Sequence, residues 1–192
     1  MPPSTSPPPP PPPTASQTYK SLHETALGFL AAFGPAPSPS STQQQINYSV
    51  MASHCSPAYT HSWGHNHAVS QSPPLQGLLS FQDFTAHLDK MVQRLASWHM
   101  AVTRVFVDEA SLSVVVRATY YMVALGHEEH VIENDLIWVL DMEQRPQQQQ
   151  QQSQGTVSAD GAARLWITKT VEFVDAVATA RLREIMMGKA GT

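Results

Sequence analysis

Apolar residues recur along this chain with two different periods, and the change from one to the other divides it. Over residues 17–33, Tyr19, Leu22, Ala26, Phe29, Leu30 and Phe33 fall at helical spacing, and Gly34-Pro35 supplies a stop. Residues 46–55 read as a second, shorter helix ending before Pro57. Residues 59–63 then read as a short strand, whose alternation sets Tyr59, His61 and Trp63 on one face. A long helix follows behind the N-cap Ser80. Phe81, Phe84, Leu88, Met91 and Leu95 keep its step, and Asp83 sits in its first turn, where a negative charge meets the helix dipole. From His99 onward the pattern is that of strands, over 101–107, 111–125, 131–142 and 165–174, with turns at Asp108-Glu109-Ala110 and Gly126-His127-Glu128. Residues 176–187 return to helical composition and stop at Gly188.

Helices followed by a meander of long strands define an α+β domain, with the helices packed on one side of a curved sheet. The strand over 131–142 is apolar on both faces, with Ile132, Leu136, Trp138 and Leu140 on one and Val131, Ile137 and Val139 on the other. Helices cover only one face, so the other is expected to meet a second copy in a homodimer. The punctuation outside this pattern is compositional. Residues 1–16 form a Pro-rich arm around the unbroken run Pro7 to Pro13, expected to be extended and solvated. A single domain spans 17–187, with low-complexity insertions at 34–45 and at 145–161, the second containing the run Gln147 to Gln152, and 188–192 is a tail.

Charge and cysteine content change the picture by exclusion. The net charge is −4 with histidines neutral, and the basic residues are scattered, which disfavours a nucleic-acid surface. The single cysteine, Cys55, allows no intramolecular disulfide and fits a reducing compartment. No apolar run has the length of a membrane span, and the N-terminus lacks the charged-then-apolar order of a signal peptide, so a cytoplasmic protein with no membrane partner is expected.

The order of elements, with Tyr-Thr-His-Ser-Trp at 59–63, Glu-Asn-Asp-Leu-Ile-Trp at 133–138 and Val-Glu-Phe-Val-Asp at 171–175, resembles the nuclear transport factor 2-like superfamily. Within it the chain is most similar to SnoaL-like proteins of fungal secondary metabolism. The resemblance implies a cone-shaped α+β barrel, in which a curved antiparallel or mixed sheet and N-terminal helices enclose a pocket. It also implies a dimeric assembly and chemistry that needs no metal or organic cofactor. By motif position it points to His61, Asn134, Glu172 and Asp175 as catalytic candidates. The chain departs from the usual fungal pattern in Asp135-Leu136, where a Glu-aromatic pair is common, and in its long insertions.

The residues themselves support this chemistry in part. A carboxylate among apolar neighbours, as Glu172 and Asp175 are, must be paired or carry a raised pKa useful for moving protons. The two are three apart, so a regular strand sends them to opposite sides unless it bends, and Asp175 is equally placed to cap the following helix. Asn134 shares a face with Leu136 and Trp138, either as an amide satisfied within the protein or as a donor to a substrate carbonyl. Asp135 faces the opposite way. His61, between Tyr59 and Trp63, is the histidine best placed to take and give a proton. Tyr59, Trp63, Phe84, His87, Tyr120 and Trp138 are the expected substrate-binding side chains, and His99, just past the long helix, is a further pocket candidate. The spacing of His61, His65 and His67 could suggest a metal site, but no carboxylate follows within the next few residues, and solvated loop histidines are the reading preferred for the cluster beyond the strand. The expected activity is an isomerisation, cyclisation or dehydration of a bulky, apolar polyketide- or terpenoid-derived small molecule. The alternative is a binding or dimerisation module of the same fold.

Overall fold

A computed structural model describes residues 7–34, 46–146 and 164–188. The run Gln147 to Gln152 and most of both insertions and of the tail lie outside the described residues. The chain forms α1 (Gln17–Ala31), α2 (Tyr48–Ser53), β1 (Cys55–Trp63), α3 (Asn66–Ser70), β2 (Leu79–Ser80), α4 (Phe81–Val92), β3 (Leu95–Asp108), β4 (Ser113–Ala124), β5 (Val131–Gln144), β6 (Leu165–Val174) and α5 (Ala176–Met186), with a 3-10 turn at Pro73–Leu75. The six strands make one mixed sheet in the order β2-β1-β6-β5-β4-β3. All neighbours pair antiparallel except β1 and β6, which run parallel. This is the expected α+β architecture of helices laid on one face of a curved sheet.

Period-2 alternation places the core. On β4 every second residue from Val114 to Ala124 is buried, and on β5 Asn134, Leu136, Trp138, Leu140 and Met142 are buried in the same register. Against this face α1 sets Leu22, Ala26, Phe29 and Leu30, α4 sets Phe84 and Leu88, and α5 sets Leu182 and Ile185. Phe29, Phe33, Phe84 and Trp138 meet at ring distances of 5.4–6.4 Å. Burial of each such ring contributes roughly 1.5–3 kcal/mol. The opposite face stays open to solvent, with Ile137 44% exposed and Arg117 paired to Asp135 at 2.5 Å.

Helix starts follow the sequence closely. Ser16 accepts from the Tyr19 amide at 2.9 Å, Ser80 from Asp83 at 3.2 Å, and Asp175 from Val177 and Ala178 at 2.8 and 3.1 Å. Other boundaries differ from expectation. The helix over 80–95 ends at Val92, and Leu95 opens β3, six residues earlier than the expected strand. Irregular register between Leu95 and Ser97, and again between Val102 and Arg104, breaks the alternation of β3 and sets Leu95 and Trp98 three apart on the buried face, a helix-like spacing. His99 therefore lies on β3, stacked on Tyr121, and not at a helix end. The helix over 46–55 shortens to Tyr48–Ser53, and Cys55 begins β1. The proline arm is less solvated than expected. Pro9 and Pro11 are half-buried, and the Pro9 carbonyl lies 3.0 Å from Nε2 of His23.

Candidate active site

The parallel pairing of β1 with β6 creates the site. It sets His61 opposite Thr170 and Trp63 opposite Glu172, on the buried face, while β5 sets Trp138 on the other side of Glu172. Gly64 permits this close approach. Its amide donates to the Glu172 carbonyl at 2.7 Å, and a Cβ there would fall 2.1 Å from the Phe173 ring.

His61 is fully buried, with its ring stacked on Phe84 at 4.0 Å and its edge against Trp63 at 4.6 Å. Its Nδ1 lies 2.9 Å from the Thr170 hydroxyl, which lies 2.6 Å from the Tyr59 hydroxyl. The chain can run either way, and each direction leaves one buried proton unpaired, that of Tyr59 or that on His61 Nε2; the second faces Glu172 at 4.0 Å, which favours it. In that direction Tyr59, whose hydroxyl burial holds protonated, donates to Thr170 and Thr170 donates to Nδ1. The opposite order would leave the Tyr59 proton buried without an acceptor. His61 is thereby held as the Nε2–H tautomer. That nitrogen has no hydrogen-bond partner and sits 4.0 Å from Oε2 of Glu172.

The pair is tuned by dehydration. Burial, then the neighbouring His87, lowers the His61 pKa to about 3, so the imidazole is neutral. Burial pushes the Glu172 carboxyl up to about 8, against a hydrogen bond from Trp63 that pulls it down. Near neutral pH the pair is therefore a neutral imidazole beside a mostly protonated acid.

Glu172 opens into a cavity of about 120 Å³, measured as the space available to the centre of a water molecule. Its walls are mainly apolar, with Phe33 and Ile46 from the N-terminal region, Leu88 and Met91 from α4, and Leu182 from α5. Trp63 and His87, 4.7 Å apart, line it beside Tyr120 and Asn134.

The expected site residues therefore divide. Trp63, His87, Tyr120, Asn134 and Glu172 face the cavity, and His61 stands behind Glu172. Tyr59, Phe84 and Trp138 are buried but do not line the cavity. They form the network and ring packing that hold His61 in place. Asn134 is largely committed to structure. Its amide oxygen accepts from the Asp175 backbone at 3.0 Å and its nitrogen donates to Thr179 at 3.1 Å, which ties α5 to β5. Asp175 does not join the site, because its exposed carboxylate caps α5. Asp135 faces solvent as expected, held by Arg117. His61 and His65 diverge, the latter packing edge-on against Phe173 at 5.2 Å, and among the described residues no three His, Cys, Asp or Glu side chains gather as a metal-binding group. Cys55 donates to the Met51 carbonyl, and burial pushes its thiol up to about 12. Sequence reasoning missed the contribution of α5. Thr179 and Leu182 are three apart on that helix, a spacing that marks an inward face without showing what the face covers.

No protein-family model matches the chain, and no curated protein matches it. Solved structures do match in three dimensions. PrhC from Penicillium brasilianum aligns over 90% of this chain and 91% of its own, with a TM-score of 0.60 and 15% identity. BvnE pinacolase from Penicillium brevicompactum aligns over 92% and 97%, with a TM-score of 0.59 and 16% identity. A protein of Jannaschia sp. CCS1 assigned as a SnoaL-like polyketide cyclase aligns over 93% and 98%, with a TM-score of 0.56 and 14% identity. The chain has the nuclear transport factor 2-like fold that these structures share.

Proposed function

We propose that the chain is a cofactor-independent acid–base enzyme, an isomerase, cyclase or dehydratase, acting on a polyketide- or terpenoid-derived intermediate of fungal secondary metabolism. One observation carries this reading: a protonatable carboxyl, Glu172, stands in the wall of an apolar cavity with a neutral imidazole 4.0 Å behind it. Glu172 delivers its proton to a ligand oxygen or alkene carbon, and the resulting carboxylate recovers a proton from another ligand carbon, so no net proton is consumed. The Nε2–H of His61 stabilises the carboxylate during the interval in which it is charged. The pinacolase and the SnoaL-like cyclase assignment among proteins of this fold support the general kind of reaction.

The test is genetic and chemical together. In the organism that makes this chain, a Glu172→Gln replacement is expected to accumulate the unrearranged precursor, read by mass spectrometry and NMR of extracts, while the protein persists at normal abundance. An unchanged metabolite profile would refute the reading and favour a binding module. The exposed apolar residues Ile137, Val131 and Phe106 on the open sheet face support a homodimer across that face. Sedimentation of the wild type should give twice the chain mass, and Ile137→Lys should give the monomer.

A further inference from the structure

Among the described residues that line the cavity, two side chains can exchange a proton with a ligand near neutral pH, Glu172 on β6 and His87 on α4. Tyr120 lines it as well, but burial keeps its hydroxyl protonated and seals the oxygen from open space. No lysine or arginine belongs to that lining.

His87 is placed to reach a ligand. It follows Phe84 by three residues and precedes Met91 by four, which keeps it on the inward stripe of α4. The side chain is half-buried, no hydrogen bond occupies either ring nitrogen among the described residues, and neither nitrogen is sealed. Trp63 spaces it from the acid. The indole hydrogen-bonds the Glu172 carboxyl, and its ring lies 4.7 Å from the His87 ring. Imidazole and carboxyl thus flank one side chain, and among the described residues no hydrogen bond or ion pair joins them to each other.

Their protonation states are complementary. Burial, then Lys90 on the same helix, lowers the His87 pKa below its ordinary 6.5, so near neutral pH the ring is an unoccupied base. Glu172, raised to about 8, still holds its proton there. The remaining titratable group whose charge acts between these elements is His61 on β1, itself neutral. A loaded acid and an empty base within one apolar hollow are what a paired proton transfer requires.

We infer that His87 is a second catalytic group of the cavity, a general base that takes a proton from a ligand carbon on the α4 side while Glu172 serves the ligand oxygen from the sheet side, and that the substrate is a neutral carbonyl compound with an enolisable C–H. This rests on the reading of the cavity as an acid–base site and adds a second group to it. The C–H electron pair becomes the C=C bond of an enol, the carbonyl oxygen takes the Glu172 proton, and His87 holds the carbon's proton as imidazolium. Delivery of that proton back to carbon, with return of the enol proton to the carboxylate, restores both groups.

Exchange of the methylene protons of 2-indanone into D2O, followed by proton NMR with the full chain from about pH 5 to about pH 9, tests it. The wild type should accelerate exchange above the buffer rate, and excess indane, which lacks the carbonyl, should suppress the gain. The rate should rise with pH below 6.5 as His87 becomes neutral and fall above 8 as Glu172 loses its proton. His87→Gln should lower the rate at pH 7 by about a hundredfold, the usual worth of a general base. Glu172→Gln should keep the rise at low pH and lose the fall at high pH. An unchanged rate at pH 7 in His87→Gln overturns the inference. If Glu172→Gln then abolishes exchange, the acid–base reading of Glu172 stands without a second base; loss in His87→Gln with Glu172→Gln unaltered at every pH upholds His87 and counts against Glu172. No acceleration by the wild type overturns both. If His87→Gln fails to fold, the wild-type profile decides: a rise below 6.5 upholds the inference, and a rise through 8 overturns it.

Discussion

The buried acid makes the stability of this fold fall on the alkaline side, and Glu172→Gln should remove that fall. The Glu172 carboxyl is raised from an ordinary 4.5 to about 8, so between those values the folded chain holds a proton that the unfolded chain has released. Its contribution is complete below pH 4.5 and is lost as pH rises through 8. At about 1.4 kcal/mol per pH unit the full penalty is about 5 kcal/mol. His61 acts in the opposite sense. Lowered from 6.5 to about 3, it is neutral when folded while the unfolded imidazole is protonated, so its contribution is complete above pH 6.5 and is lost as pH falls through 3. The two slopes oppose one another between pH 4.5 and 6.5 and leave a plateau, after which stability drops by roughly 2 kcal/mol by pH 8. Urea unfolding at about pH 5.5 and about pH 8.5 measures this directly. Glutamine keeps the shape and neutrality of the protonated acid, so the variant should exceed the wild type by about 1.4 kcal/mol near pH 5.5 and by about 4–5 kcal/mol near pH 8.5. An equal difference at the two pH values would refute the assignment of a raised pKa to this carboxyl, because every other titrating group cancels in the comparison.

Thr170→Val should leave the Tyr59 hydroxyl and His61 Nδ1 without their shared partner, at a cost of about 1–3 kcal/mol in unfolding free energy. Nitrogen-15 NMR should then show that His61 is no longer confined to the Nε2–H tautomer. Trp63→Phe removes the hydrogen bond that pulls the Glu172 pKa down, and titration of a carbon-13-labelled carboxyl should find it higher than in the wild type. Asp175→Ala should cost about 1 kcal/mol through the lost helix cap, with no effect on any Glu172-dependent reaction. An activity loss without unfolding would place Asp175 back in the site.

The fold was legible where a single period governs a long segment. Phe81, Phe84 and Leu88 define α4, the alternation of β4 and β5 separates the two sheet faces, and Ser16, Ser80 and Asp175 mark helix starts. It failed at β3, where irregular register gives Leu95 and Trp98 a helical spacing. The pairing of β1 with β6 lies beyond any local pattern, because it joins segments more than a hundred residues apart, and the position of His61 beside Glu172 depends on it. Alternation alone put His61 and Trp63 on one strand face, and the structure sets them with Glu172 and Tyr120 on the covered side of the sheet. Whether a buried side chain reaches open space or only other side chains depends on how rings pack in three dimensions. For that reason Phe84 and Trp138 proved to be core, and Asn134 proved to be a tie to α5.

Thr179 and Leu182 roof the cavity from a helix that the ribosome makes after every strand of the sheet, and that helix is tethered through Asn134. A chain that has completed β6 but not α5 thus lacks the Thr179 and Leu182 side chains on that side of the cavity. Among the described residues, that wall of the hollow therefore forms only after all six strands have been made.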